Sequence, residues 1–244
     1  MSEPSEDEFL SLFGMSKPER KRGTGLNIPA KFVPPEERLR GLPNLVPGVV
    51  FDTSGLLGGD TIRERFICYS DRRAAIMFTD GACLNNGQPN AKAGWAVWFG
   101  PEPEARTVSG RLEHKGPFGD AAEQTSNRAE LRAAIAGLRG FPWIQDGYNR
   151  VVIASDSEYL VEGATALVKK WVKNGWKTSE GNAIKNQDLW EMLLGEVDRY
   201  HAAGVKVDFW RIPRDYNEIA DRGAREGAQK ADEQEFFDIM VPGV

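Results

Sequence analysis

Ala74-Ala75-Ile76-Met77-Phe78-Thr79-Asp80-Gly81 is the stretch whose reading decides the fold class. Its apolar run, Ala74–Thr79, closes on the turn-forming pair Asp80-Gly81 and reads as a strand entering a turn. Arg150-Val151-Val152-Ile153-Ala154 reads the same way and closes on Ser155-Asp156. Working outward from the first run, Ala93–Phe99 and Arg106–Leu112 form the second and third strands of a meander, split by Pro101 and Pro103. Ser126–Arg139 reads as a helix. Asn127 followed by Glu130 suits a capping arrangement, and Leu131, Ala134, Ile135 and Leu138 recur at helical spacing. Beyond the Arg150–Ala154 strand the pattern predicts a short helix near Glu158–Gly163 and a helix Ala164–Lys173 stopped by Asn174-Gly175. A long helix Asp188–Ala202, a strand Val205–Arg211 and a last helix Glu218–Gln229 follow. Three consecutive strands and then alternating helix and strand imply an α/β fold, a five-stranded mixed sheet with helices on both faces.

The chain divides into four parts. Residues 1–45 hold polar clusters and several prolines and are expected to be disordered, with an apolar patch at Phe9–Phe13 that suits a partner-binding helix. Residues 46–73 are expected to be irregular, packing on or leading into the domain at 74–230, and residues 231–244 form an acidic tail. No run of about eighteen apolar residues occurs, so no membrane span is expected. The acidic start, with Glu3, Glu6, Asp7 and Glu8, resembles neither a secretory signal nor a mitochondrial transit peptide. Only Cys68 and Cys83 are present, which excludes a disulfide framework, a disulfide-linked partner and a four-Cys zinc site. An intracellular monomer, nuclear or cytoplasmic, is the resulting expectation, and Arg20-Lys21-Arg22 reads either as an import signal or as a solvated charge run. The net charge of −5 argues against a polyanionic partner only as an average. Between Gly163 and Gln187 five lysines (Lys169, Lys170, Lys173, Lys177, Lys185) face Glu180 alone, a local patch fit for phosphate or for water.

Four acids stand out by position. Asp80 and Asp156 each follow a strand expected at the sheet centre, and ligands of open α/β sheets bind beyond strand C-termini. Glu130 falls in the first turn of its helix beside the apolar stripe, and Asp221 in the first turn of the last helix. Taken singly, Asp-Gly is a turn, Asp-Ser a helix cap, and Asn217-Glu218-Ile219-Ala220-Asp221 a polar helix start. Gathered together they would repel one another, and a cation makes such a cluster tolerable. An all-oxygen donor set suits Mg²⁺, and two such ions can activate a water and stabilise a departing oxygen in phosphodiester cleavage.

These stretches resemble the type 1 ribonuclease H family. The likeness is carried by Thr79-Asp80-Gly81-Ala82-Cys83, Thr125-Ser126-Asn127-Arg128-Ala129-Glu130, Ser155-Asp156-Ser157-Glu158-Tyr159 and Asn217-Glu218-Ile219-Ala220-Asp221. Between them, Trp171-Val172-Lys173-Asn174-Gly175-Trp176-Lys177-Thr178-Ser179 is similar to the family's basic protrusion, with Asn186 and Leu189-Trp190 following. The resemblance implies a ribonuclease H-like fold and two Mg²⁺ ions, with Mn²⁺ as a substitute, on Asp80, Glu130, Asp156 and Asp221. It also implies cleavage of the RNA strand of an RNA–DNA hybrid, leaving 3′-hydroxyl and 5′-phosphate ends. Cys83, Asn85, Asn86, Ser126 and Asn127 match positions that meet the RNA strand, where side chains that donate and accept suit a 2′-hydroxyl. Thr125 and Asn186 match a pocket for a DNA phosphate. Trp171, Lys173, Thr178 and Ser179 lie in the protrusion expected beside the DNA strand, where Trp171 would pack on a deoxyribose. Trp171 and Trp176 also read as core residues, and for Trp176 that reading is preferred.

Two positions depart from the family pattern. The loop before the last acid, Ile212-Pro213-Arg214-Asp215-Tyr216-Asn217, is short and lacks the His common there; Arg214 stands near its place. An arginine cannot shuttle protons, so Arg214 is assigned to phosphate binding, with Asp215 as the alternative source of assistance. Glu123 stands where a basic residue lines the phosphate pocket in vertebrate-like members. Two other readings compete: a hybrid-binding protein that has lost turnover, and a nuclease of the same fold acting on DNA.

Overall fold

The structure, a computed structural model, describes residues 18–35, 47–52, 65–101 and 106–239. The apolar patch Phe9–Phe13 lies outside the described residues.

Strand β1 (Ala30–Lys31), a helical turn α1 (Pro47–Val50), β2 (Phe51–Asp52) and β3 (Phe66–Cys68) precede the five expected strands. Those are β4 (Ala74–Leu84), β5 (Lys92–Trp98), β6 (Thr107–Arg111), β7 (Arg150–Ser155) and β8 (Lys206–Arg211). The helices are α2 (Ser126–Arg139), α3 (Glu158–Glu162), α4 (Val168–Lys173), α5 (Gln187–Ala202) and α6 (Glu218–Gly227), with a π-type turn Gly163–Leu167 joining α3 to α4. Among the described residues the sheet therefore has eight strands, the five expected and three short additions at its margins.

Strand β4 organises the sheet. One edge pairs in parallel with β7 from Ala74↔Arg150 to Phe78↔Ala154 and there stops. The other edge meets β3 at its start and β5 from Phe78↔Trp98 to Leu84↔Lys92. Asp80-Gly81 was expected to be a turn, but it lies inside this strand, because the antiparallel partner β5 continues to hold the backbone past the point where β7 leaves it.

Alternation sends side chains to two cores. Ala75 and Met77 of β4, Val151 and Ile153 of β7 and Phe209 of β8 join α2 to α5 on one face, around Trp95, Trp143 and Trp190. Ile76, Phe78, Val152, Ala154 and Trp210 point to the other face. That second core takes Ala220 from α6, and Phe32, Phe51 and Phe66, which precede the expected domain, add three more rings to it.

Residues 18–35 were expected to be disordered and are instead an extended arm packed on the domain. Gly23 donates its N–H to the carbonyl of Glu191 on α5 at 2.8 Å, and Thr24 and Asn27 bond the Asp198 carboxylate. β1 then adds a parallel strand beside β8. Contact is close enough to demand glycine: a Cβ at Gly195 would overlap the Lys21 carbonyl, and one at Gly23 the Leu194 backbone. Arg20 bonds Asp238 at 2.9 Å and Arg22 pairs with Glu191 over the Phe118 ring, so neither arginine is a solvated charge run. The acidic tail likewise packs back as far as residue 239. Asp232 bonds the buried Arg111, Glu235 pairs with Lys115, and Asp238 bonds the buried Arg139. Pairing offsets the desolvation of these arginines, which no composition-based reading of charge runs reveals.

Substituting Gly195→Ala forces the arm off α5. Overpacking of this kind costs about 1–3 kcal/mol, so the melting temperature falls. Limited trypsin digestion, silent at Arg20–Arg22 in the wild type, then cuts there while the domain stays intact. An unchanged digestion pattern would show that the arm is not docked on α5.

Candidate active site

Beyond Phe78 the β7-side edge of β4 has no strand partner, and the chain leaves β7 at Ser155. The two strands separate, and the acids that follow their last shared pair face one opening. Asp80 lies in β4 and Asp156 directly follows β7; Glu130, expected in the first turn of α2, stands just past that turn as the fifth helical residue, and Asp221 lies in the first turn of α6.

Gly81 sets how close α2 can come. A Cβ there would overlap the backbone at Ala129 and Glu130, so only glycine lets the Glu130 turn rest on β4. Asp80 and Glu130 are both buried. Burial, reinforced by the charges of Asp156 and Asp221, pushes the Asp80 carboxyl up to about 6. Burial, with Asp80 and Asp156 beside it, pushes Glu130 well above the ordinary carboxylate range, and its side chain is hydrogen-bonded to Asp80. Two acids in one dry site cannot both ionise cheaply, and a shared proton relieves them.

The other two acids are held by different means. Asp156 accepts from the Asn217 amide at 2.7 Å, and the same amide donates to the carbonyl of Thr79 at 3.1 Å. Asn217 is fully buried and therefore ties the backbone before Asp80, the Asp156 carboxylate and the start of α6 into one unit. Asp221 pairs with Arg214 at 2.8 Å and Arg225 at 2.9 Å, and Arg214 stands 4.0 Å from Asp156. The Arg214 guanidinium thus faces the acids from a side chain still 69% exposed, while Asp215 is exposed to solvent.

The donor set suits a hard divalent cation: carboxylates alone, with no Cys or His among them. Among the described residues no three acidic, Cys or His side chains are gathered closely enough to hold a metal as they stand. Arginines on Asp221 and the hydrogen bond between Glu130 and Asp80 do part of the work a cation would do, and Arg214 is exposed enough to leave.

The residues expected to meet nucleic acid fall into three groups. Asn85 and Asn86 occupy an exposed turn after β4, Asn85 with φ +54°, and Cys83 is half-buried at its base with its thiol 3.4 Å from the Gln124 carbonyl. Thr125, not Asn127, caps α2: its hydroxyl accepts from Arg128 N–H at 3.3 Å, leaving Ser126 and Asn127 at the open helix start. Thr125, Ser126, Asn127 and Asn186 line one cavity of about 530 Å³ together with Glu123, Tyr159 and Lys185. The ion pair between the buried Arg128 and the half-buried Asp188 braces its wall. On the protrusion, Lys169, Lys170, Lys173, Lys177 and Lys185 are all exposed, and none is paired with a carboxylate among the described residues. Trp171 is half-buried, its ring edge-on to Trp190 at 5.3 Å, and Trp176 is also half-buried against the core. Thr178 accepts from the backbone of Asn182, which closes the protrusion loop, and Ser179 is exposed on it.

Sequence reasoning passed over Asn217 and Tyr159 as actors. Asn217 reads as part of a polar helix start, yet its side chain makes no cap; Tyr159 falls in the short helix expected near Glu158–Gly163, with no role of its own assigned. Partners remote in sequence give both their roles.

Residues 72–229 match the RNase H family. The ribonuclease H of Neorickettsia sennetsu is 36% identical over 154 residues, spanning 63% of this chain and 91% of its own length. The ribonuclease H of Thermus thermophilus is 37% identical over 165 residues, 66% of this chain and 87% of its own. The ribonuclease H1 of Mus musculus is 33% identical over 164 residues, 66% of this chain and 52% of its own.

The raised Asp80 carboxyl makes a signed prediction. Because folding raises it from 3.8 to about 6, its burial costs nothing below about pH 4, and stability is lost as the pH climbs through 6. The neutral Asp80→Asn variant should match the wild type at pH 4 and exceed it by about 1–3 kcal/mol at pH 8 in chelator. Denaturant unfolding at the two pH values measures this; equal stability at pH 8 would mean that the acids do not strain one another.

Proposed function

The chain belongs to the ribonuclease H family of hydrolases, and from that premise we propose that it is a Mg²⁺-dependent endonuclease that cuts the RNA strand of RNA–DNA hybrids. The products are a 3′-hydroxyl and a 5′-phosphate. The observation that carries this reading is the placing of Asp80, Glu130, Asp156 and Asp221 at one opening, where burial and then the charges of their neighbours raise the Asp80 and Glu130 carboxyls above the ordinary carboxylate range.

Two Mg²⁺ ions, replaceable by Mn²⁺, held by these four carboxylates would supply Lewis-acid activation of the attacking water and of the departing 3′-oxygen. The chain's own residues prepare the site for that chemistry. Asn217 fixes Asp156 relative to the strand that carries Asp80. Glu130 and Asp80 give up their proton when countercharge arrives, so binding and ionisation are linked. Arg214, freed from Asp221, brings a permanent positive charge to the scissile phosphate or its neighbour. It contributes attraction and not proton transfer.

Recognition divides by strand. Cys83, Asn85, Asn86, Ser126 and Asn127 stand on the RNA side, where the amides and hydroxyl both donate and accept toward 2′-hydroxyls. Trp171, anchored on Trp190, offers the rest of its ring to a deoxyribose. Lys173, Thr178 and Ser179 flank it, and the exposed protrusion lysines attract the DNA backbone. Thr125 and Asn186 take a DNA phosphate in the cavity.

With Mg²⁺, the purified full chain should cut matched RNA–DNA hybrid and leave RNA–RNA and DNA–DNA duplexes intact. Asp80→Asn should lower turnover to below about a tenth while hybrid binding persists. Cleavage of a DNA duplex, or turnover surviving in the variant, would overturn the assignment.

Replacing Lys169, Lys170 and Lys173 together by Ala should raise KM for hybrid with turnover at saturation nearly unchanged. The slope of log affinity against log salt should flatten by up to about 2–3. An unaltered slope would return these lysines to a solvated surface.

A further inference from the structure

Tyr159 lies on α3, outside the four carboxylates, and its phenol lines the cavity that also holds Thr125, Ser126 and Asn186. The Asn186 amide donates to the phenolic oxygen at 3.1 Å, and the Trp190 indole N–H donates to it at 3.1 Å. A phenol oxygen that accepts twice has its lone pairs committed and one proton left to give. No described residue accepts that proton. Burial pushes the phenol up from its ordinary range, so the proton stays on.

The arrangement also fixes Asn186. Its backbone is left-handed, at φ +57°, a conformation that asparagine tolerates better than most residues. Its carbonyl oxygen faces Arg128 at 3.5 Å and its amide nitrogen faces Tyr159, so the remaining amide proton is free for the cavity. The positive charge of Arg128 is already committed to Asp188 through two bonds, at 2.8 and 2.5 Å. The cavity therefore offers two neutral, oriented donors, from Tyr159 and Asn186, beside the charged Lys185.

We propose that Tyr159 is a direct phosphate ligand of the DNA strand, donating its hydroxyl to a non-bridging oxygen while its lone pairs aim Asn186 at the same group. This rests on the reading of the cavity as a DNA-phosphate pocket and adds to it a residue that recognises the anion. A donor set of this kind acts beside the Lys185 ammonium and against the Glu123 carboxylate, both of which line the same cavity. Bonds to an ionised acceptor are about twice as strong as neutral ones, so two aimed neutral donors can stand in for one diffuse charge.

The test is a cycle between protein and ligand. Hybrids carrying one neutral methylphosphonate at successive DNA positions are titrated against the full chain without divalent metal. In the wild type one position should lose about tenfold or more in affinity. With Tyr159→Phe, which keeps the ring on Trp190, the unmodified hybrid should bind about tenfold more weakly. At that same position the methylphosphonate should then cost little more, while other positions behave as in the wild type. Penalties that multiply independently, or a Tyr159→Phe chain that binds unmodified hybrid as well as the wild type, would overturn the role of Tyr159. If no DNA position stands out in the wild type, the pocket reading itself fails. Tyr159→3-fluorotyrosine preserves shape and strengthens the donor, so it should widen the penalty at the sensitive position even if Tyr159→Phe folds poorly; a penalty unchanged by fluorination also counts against the proposal.

Discussion

Strand β4 is paired on both edges at its start and on one edge only beyond Phe78. The rest of the molecule depends on that asymmetry. Had β7 continued beside β4, the backbone at Thr79 and Asp80 would be closed into the ladder and no opening would exist. Instead the carbonyl of Thr79 is taken by the Asn217 side chain, which simultaneously reaches Asp156. A single buried amide thereby replaces a strand neighbour and converts a gap in the sheet into a fixed relation between two acids. The same stretch of β4 carries Gly81, whose missing Cβ lets α2 rest against the strand and deliver Glu130.

Charge confined in that gap has to be compensated, and the fold does so in several independent ways. Burial and mutual repulsion keep a proton between Asp80 and Glu130, Asn217 donates to Asp156, and Arg214 and Arg225 neutralise Asp221. These arrangements differ in how easily they give way. The amide is buried and permanent, the proton leaves with pH or countercharge, and the exposed Arg214 can swing out. A site built so can change its net charge without moving its backbone, which suits chemistry on a polyanion.

Outside the opening, the second face of the sheet is closed by material that the family match does not include. Phe32 and Phe51 surround Trp210, with ring centroids at 5.3 and 6.3 Å, and the match begins at residue 72. The arm across α5 and the tail behind α2 meet where Asp238 bonds both Arg20 and Arg139, and where Arg139 also pairs with Glu196. Both chain extensions are thus tied into one ion network, and the acids of the tail add carboxylate partners to the buried Arg111 and Arg139. Arg22 continues the arm's contacts to Phe118, beside the loop that forms the cavity wall at Ala121 and Ala122.

What the sequence by itself determined is whatever a local pattern can encode. Helix α2 was legible to the residue, because an apolar stripe at helical spacing has few other solutions, and the four acids were legible because each sits at a fixed offset from a strand or helix start. The strands were legible as elements but not in extent. Asp80-Gly81 carries the same local signal whether it turns or continues, and only a partner strand on the far side of the hairpin decides which. Residues 18–35 read as disordered and residues 231–239 only as part of an acidic tail, because ion pairs such as Arg20–Asp238 join positions that no window along the chain brings together. Asn217 and Tyr159 were hidden for the same reason: an amide or a phenol acquires its task from the groups that surround it. The tertiary structure decided those tasks, since hydrogen bonds and buried charges depend on proximity in space, while the period of an apolar stripe depends only on the chain.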